Sequence, residues 1–191
     1  GIARMNALPS AYIEKMQSGI EVQLKASLSN LEAKSTALLV QMVRHHLGWI
    51  KPEANRGKRL RPLLSLLCCD AAGGHWQSAL PAAGAIEWIH NFSLIHDDIE
   101  DRSETRRGRE TVWKRWGIAQ ATNTGDALFA LAHLLTYELE AHGHDSVTIL
   151  SIQKQLDKAC LHLTLGQHLD LTFEEADGVT EDEYQEMIEG K

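Results

Sequence analysis

Residues Ser78 to Asp101 read SALPAAGAIEWIHNFSLIHDDIED. In a helix, Ala79, Leu80, Ala82, Ala83, Ala85, Ile86, Trp88, Ile89, Phe92, Leu94 and Ile95 wrap almost all round the axis. A helix that is apolar on every side belongs at the centre of a packed structure. Yet this one ends in Asp97, Asp98, Glu100 and Asp101, where the helix dipole favours cations. A folding preference broken at the end of a core helix marks a place where function is expected.

The rest of the chain reads as helix as well. One helix is expected from about Ser10 to Ser27, with Ile13, Met16, Ile20 and Leu24 in one stripe. A second, capped by Ser29 and Asn30, carries Leu38, Leu39, Met42, Val43 and Leu47 and ends around Gly48. Residues 51–57 form a polar loop, and a third helix runs through Leu63 to Ala72. Beyond the quoted stretch, residues 102–111 read as a charged loop. Further helices are expected from Ile118 to Ala141 and from Ser146 to Thr172, with a turn at 142–145. The last begins with a capping box of Thr180 and Glu183, flanked by the staple pair Val179 and Tyr184. Alternating strand patterns are absent and the four prolines sit at helix starts or linkers, so the class is all-α.

Composition excludes several functions. The 191 residues are 43% hydrophobic and 24% charged, an ordinary globular balance. Lys and Arg number 19 against 26 Asp and Glu, which speaks against a nucleic-acid binder. No apolar run approaches the roughly 18 residues of a membrane span, and no signal peptide is seen. Cys68, Cys69 and Cys160 form no disulfide framework; we expect small buried hydrophobes in a reducing, cytoplasmic setting. No repeat or composition shift marks a second domain.

The chemistry concentrates around the acidic helix end. Asp97 and Asp101 are four apart and share a helix face, with Asp98 beside them. Three adjacent carboxylates repel one another, and burial sharpens the conflict. A divalent cation relieves it, and hard oxygen donors favour Mg²⁺, which commonly bridges carboxylates to phosphates. A solvated acidic helix end is the alternative. Arg106, Arg107 and Arg109 follow closely, and guanidinium forks grip phosphate oxygens bidentately. Lys58 and Arg61 are three apart at a helix start, where backbone N–H groups also attract anions. His90 lies two turns before Asp97 on nearly the same face, as a third anion donor or as a core histidine.

The stretch His90 to Trp113, HNFSLIHDDIEDRSETRRGRETVW, resembles the first aspartate-rich region of the trans-prenyltransferases, or polyprenyl synthetases. Gly57 to Pro62, GKRLRP, resembles their upstream basic motif. Residues Asn123 to Leu128 and Gly166 to Asp170 resemble two further signatures in the right order, and the likeness extends from Gly57 to Lys191. It implies an isoprenoid-synthase helical bundle around a deep central cavity. By resemblance Asp97, Asp98 and Asp101 bind the Mg²⁺ that holds an allylic diphosphate, with Arg106 and Lys191 on the same diphosphate. Lys58, Arg61, His90 and Arg107 match binders of isopentenyl diphosphate. Gln167 and Asp170 match polar groups facing the metal cluster. The implied reaction ionises the allylic diphosphate, adds the isopentenyl double bond to the cation and loses a proton. Apolar walls keep water from quenching the cation. Phe92 and Ser93 occupy the positions where bulk limits product length in this family. Homodimers are its usual assembly.

The chain also departs from the pattern. A second aspartate-rich motif does not follow Asp170: Glu174, Glu175, Asp177 and residues 181–183 lack its context. We therefore expect a single domain over 1–191 that lacks the bundle's C-terminal helices, binds Mg²⁺-diphosphate weakly and turns over little by itself. Two other readings stand beside this one. A metal phosphohydrolase would use His96–Asp97 as a metal-binding dyad, with His45, His46 and His75 upstream. A non-catalytic subunit of the same fold would pair with an active partner. Terpene cyclisation also begins with aspartate-bound metal, but has no need of Lys58, Arg61 and His90.

Overall fold

The computed structural model describes residues 10–51, 55, 57–174, 176 and 178–190. It divides into two compact units, residues 1–144 and 145–191. In the first, α1 spans Ser10–Ser29, α2 Ala37–His46, α3 Leu60–Ala71 and α4 Leu80–Glu100. A two-stranded hairpin follows, β1 Thr105–Arg106 and β2 Arg109–Glu110, then α5 Val112–Trp116 and α6 Ile118–Tyr137. The second unit holds α7 Ser146–Phe173 and α8 Glu181–Gly190. The architecture is all-α, as the periodicity indicates.

Helix α4 is the core element expected of it. Ala83, Ala85, Trp88, Ile89 and Ile95 are buried, and its principal neighbour is α6, whose Leu128, Ala132 and Leu135 are buried as well. Contact is close because Gly125 has no side chain: a Cβ there would lie 2.3 Å from His96 Nε2. Trp88 is wholly buried and donates from Nε1 to the Ser27 hydroxyl at 3.0 Å, which fixes α4 against α1.

Three local expectations change. The second helix is capped neither by Ser29 nor by Asn30; a 3₁₀ turn over 34–36 intervenes and α2 begins at Ala37. Residues 105–110 are a hairpin rather than an open loop. Strand propensity plays no part in it, since two residues per strand are too few to carry a pattern. Its turn residues Arg107 and Gly108 both have positive φ, 52° and 75°, the combination of a type I′ turn. Of the cysteines only Cys160 is buried; Cys68 is exposed and Cys69 half-buried, and all three are free thiols. In the second unit the capping box stands as read: the Thr180 amide donates to Glu183 Oε2 at 2.9 Å and the Glu183 amide to Thr180 Oγ1 at 3.3 Å. Helix α8 meets α7 at Gly190, where a Cβ would be 2.8 Å from the Gly166 Cα.

The hairpin is tied to the C-terminal end of α2. Arg109 donates to the carbonyls of His46 at 3.0 Å and Asn55 at 2.8 Å, setting a cation where the α2 dipole favours one. His45 Nε2 donates to the Glu110 carbonyl at 2.8 Å and its ring packs edge-on against Trp116. His46 is buried beneath this junction. Burial first, then the charges of Arg107, Arg106 and Arg109, lower its pKa to about 3.

That shift makes folding pH-dependent. The unfolded chain takes up a proton at His46 below about pH 6.5, while the folded chain refuses it until about pH 3. Stability from this residue is complete above pH 6.5 and falls as pH drops, by about 2 kcal/mol at pH 5. Thermal melts from pH 7 to 4.5 should show His46→Gln with a shallower acid loss than wild type; parallel slopes would contradict the assignment.

Candidate active site

Four segments of the first unit carry the candidate residues: the end of α4, the hairpin, the Gly57–Arg61 segment and the end of α2. The end of α4 closes with a Schellman motif. Ser103 N donates to Asp98 O at 2.9 Å and Arg102 N to Ile99 O at 3.2 Å, with Arg102 left-handed at φ 52° where glycine is usual. The chain is thereby turned back, and the hairpin returns Arg106 to the acidic cluster.

Arg106 answers the charge conflict on α4. Its Nε donates to Asp98 Oδ1 at 2.7 Å and its Nη2 to Asp97 Oδ2 at 3.2 Å. The Asp98 side chain is 2% exposed, while that of Asp97 is 26% exposed. The Asp98 carboxyl is raised to about 6: burial is the largest cause, Arg106 opposes it, and the charges of Asp97 and Asp101 add to it. The second carboxylate oxygen of Asp98, Oδ2, is buried with no hydrogen-bond partner. Asp101 caps the helix and is exposed. Among the described residues no three His, Cys, Asp or Glu side chains are grouped as a ready metal cage. Asp97 and Asp98 are gathered round a guanidinium instead.

Behind this pair lies a cationic group. His90 is half-buried; burial lowers its pKa to about 4, helped by the charges of Arg61, Arg107, Arg106 and Arg59. It is therefore neutral at pH 7 and offers an N–H donor rather than a positive charge. Arg107 sits at the hairpin turn over Gly57, where a Cβ would lie 2.8 Å from a guanidinium nitrogen. Lys58 and Arg61 are exposed. The shared helix face expected for them does not apply, because Lys58 precedes α3 and the left-handed residue Arg59 stands between them. Arg109 binds no open site, being committed to the end of α2.

The remaining candidates fall elsewhere. Phe92 packs edge-on against His96 at 4.9 Å and Phe129 of α6 at 5.2 Å. The Ser93 hydroxyl donates back to the His90 carbonyl at 2.8 Å. Gln167 and Asp170 lie one turn apart on α7 in the second unit, and Gln167 Nε2 is buried without a hydrogen-bond partner. Lys191 lies outside the described residues. A cavity of about 990 Å³ opens between α1 and α2, lined by Lys25, Lys34, Arg44 and Trp49 among others, and includes none of the candidate residues. His96 turns to α6, 3.2 Å from the Thr122 carbonyl and 3.5 Å from Asp126. His45 and His46 serve the hairpin junction and His75 is exposed, so the phosphohydrolase dyad gains no support.

Sequence reasoning missed Arg59. It is 6% exposed, with Nε 2.8 Å from Glu21 Oε1 of α1 and Nη1 2.9 Å from Glu87 Oε1 of α4. Glu87 was the signal available: a carboxylate in the middle of an all-apolar helix requires a buried partner.

A helical unit with carboxylates and guanidinium groups converging at the end of its core helix defines a class, and comparison with known proteins places it. The family model for polyprenyl synthetase matches residues 49–191, and the chain belongs to that family. It is 44% identical over 135 residues to a geranylgeranyl diphosphate synthase of Methanosarcina mazei, covering 71% of this chain and 41% of that protein. A (2E,6E)-farnesyl diphosphate synthase of Mycobacterium bovis is 40% identical over 155 residues, covering 78% and 42%. The chain thus spans about two-fifths of the length of these relatives. The solved geranylgeranyl pyrophosphate synthetase of Pyrococcus horikoshii superposes with a TM-score of 0.84 at 36% identity, covering 95% of this chain and 52% of that one. The fold is the isoprenoid-synthase fold of these structures.

The Arg106 bridge has a measurable consequence. Arg106→Gln leaves the buried Asp98 charge without its cation and should cost about 3 kcal/mol in urea unfolding. Adding Asp98→Asn removes that charge and should restore part of the loss; a strictly additive double variant would show that the two residues do not interact.

Proposed function

We propose that this chain serves prenyl chain elongation, condensing isopentenyl diphosphate with an allylic diphosphate. The observation that carries this reading is Asp98: a buried carboxylate beside Asp97, bridged by Arg106 and left with one unpartnered oxygen. The names of the relatives, geranylgeranyl and farnesyl diphosphate synthases, support it. An inert subunit has no physical need for a charge held in this way.

Hard carboxylate oxygens, one of them buried and unsatisfied, fit Mg²⁺; Asp97, Asp98 and Asp101 would hold it. Bound there, it supplies positive charge that stabilises the departing diphosphate. Arg106 serves the same allylic diphosphate with a two-pronged donor. Lys191, Gln167 and Asp170 belong to that side of the proposal by motif. On the isopentenyl side, Lys58, Arg61 and Arg107 offer charge, and His90 a neutral donor. The apolar flank of α4 around Phe92 shields the reacting carbon from water. Exposed apolar residues on α6, Ile118, Leu134 and Tyr137, support pairing with a second copy.

Calorimetry with isopentenyl diphosphate and a non-ionisable allylic thiolodiphosphate, with and without MgCl₂, tests the reading. Allylic binding should require Mg²⁺ and weaken roughly tenfold or more in Asp98→Asn; Mg²⁺-independent allylic binding, or none of either ligand, would refute it. Sedimentation of the same samples should give the mass of two chains. Phe92 fills space against Phe129 that a growing chain would need. In a complete enzyme that carries this chain, Phe92→Ala should shift prenyl products to greater length, and an unchanged distribution removes Phe92 from that role.

A further inference from the structure

Arg59 sits inside the basic motif, yet it points away from solvent. Its neighbours Lys58 and Arg61 are exposed, while the Arg59 side chain is 4% exposed. Two nitrogens of one guanidinium reach two helices: Nε to Glu21 of α1 at 2.8 Å and Nη1 to Glu87 of α4 at 2.9 Å. Each carboxylate is held in turn by a further donor. Trp49 Nε1 donates to Glu21 Oε2 at 2.9 Å, and Asn91 Nδ2 donates to Glu87 Oε1 at 2.9 Å. The backbone of Arg59 is left-handed, φ 50° and ψ 40°, a conformation that persists in a non-glycine residue only where surroundings enforce it.

The consequence falls on the residues either side. Arg59 is the N-cap of α3, so its backbone decides how the chain enters that helix. Gly57 lies against the Arg107 guanidinium, and Arg59, Arg61 and Arg107 all bear on the charge state of His90. The buried brace thus ties the segment bearing Lys58 and Arg61 to α1 and α4, and α4 carries His90 itself. Lysine cannot substitute for it: an ammonium is one point, whereas the guanidinium meets two carboxylates with separate nitrogens along fixed directions.

We infer that Arg59 is a positioning residue for the isopentenyl diphosphate side of the site, acting through Lys58, Arg61 and Arg107 rather than touching ligand. The inference rests on the proposed function above, which assigns those residues to that ligand. It predicts a selective loss. Arg59→Lys keeps the charge but breaks the two-helix brace, and Glu21→Gln loosens the α1 anchor alone.

Calorimetric titration of the full chain with isopentenyl diphosphate and, separately, with the allylic thiolodiphosphate plus MgCl₂ reads both sides. Arg59→Lys should weaken isopentenyl diphosphate roughly tenfold or more, since a misplacement of about 1 Å has effects of that order or larger. Allylic affinity should stay within about twofold, with Glu21→Gln showing a smaller loss of the same selectivity. A merely structural role would weaken both ligands together or neither, and either pattern in the two variants overturns the inference. If Arg59→Lys does not fold, Glu21→Gln alone decides between the same outcomes. Wild-type protein separates the two levels: no isopentenyl binding in wild type defeats the functional reading, whereas wild-type binding with unselective variants defeats only the role of Arg59.

Discussion

A carboxylate buried at the end of an apolar helix governs the arrangement of this molecule. Asp98 is 2% exposed in its side chain and sits where the helix dipole already places negative charge. An unpaired charge there would be untenable, so a cation must be brought to it. α4 has no basic residue in its last turn; the cation comes from the hairpin. That need accounts for several otherwise unconnected features. The Schellman closure at Arg102 reverses the chain, the left-handed turn at Arg107 folds the hairpin, and Arg109 and His45 fasten it to α2.

The sequence made the helices legible for a physical reason: each buries one stripe, or in α4 every face, and that periodicity survives in the residue order. The capping box at Thr180 and Glu183 was equally plain, because both partners are three residues apart. Interactions between distant segments were not. Arg106, Arg107 and Arg109 look alike in a row, yet one pairs with aspartates, one turns the hairpin over Gly57 and one caps another helix. Nothing within the row distinguishes them, since the distinction depends on α2 and the Gly57 segment, some 50 to 60 residues away. The start of α2 was misplaced for a related reason: Ser29 and Asn30 have capping chemistry, but the helix they end is α1.

The same limit applies to the clustered aspartates Asp97, Asp98 and Asp101. Local spacing shows the repulsion and not its relief. In the structure Arg106 relieves part of it by pairing with Asp97 and Asp98. A guanidinium and a divalent cation answer the same electrostatic demand. They differ in that the guanidinium satisfies only oxygens lying along its N–H directions, and Asp98 Oδ2 is not among them.

Two arginines, the buried Arg59 and the half-buried Arg106, make the comparison concrete. Arg59 and Arg106 each span two carboxylates, but they differ in what is left unpartnered. At Arg59 both glutamates are engaged by additional donors, and the atoms left without a partner are the donor Nη2 and the acceptor Oδ1 of Asn91. At Arg106 the group left over is the acceptor Oδ2 of Asp98. An unsatisfied buried acceptor such as Asp98 Oδ2 stays costly until a donor or a cation meets it. The tip of α4 presents hard carboxylate oxygens, whereas the Gly57 segment presents the exposed cations Lys58 and Arg61. On the proposed reading, a diphosphate that leaves and one that stays intact call for two differently built anion sites, and the tip of α4 and the Gly57 segment differ in build. A single undifferentiated basic patch would hold both diphosphates alike and give no reason for one of them to leave.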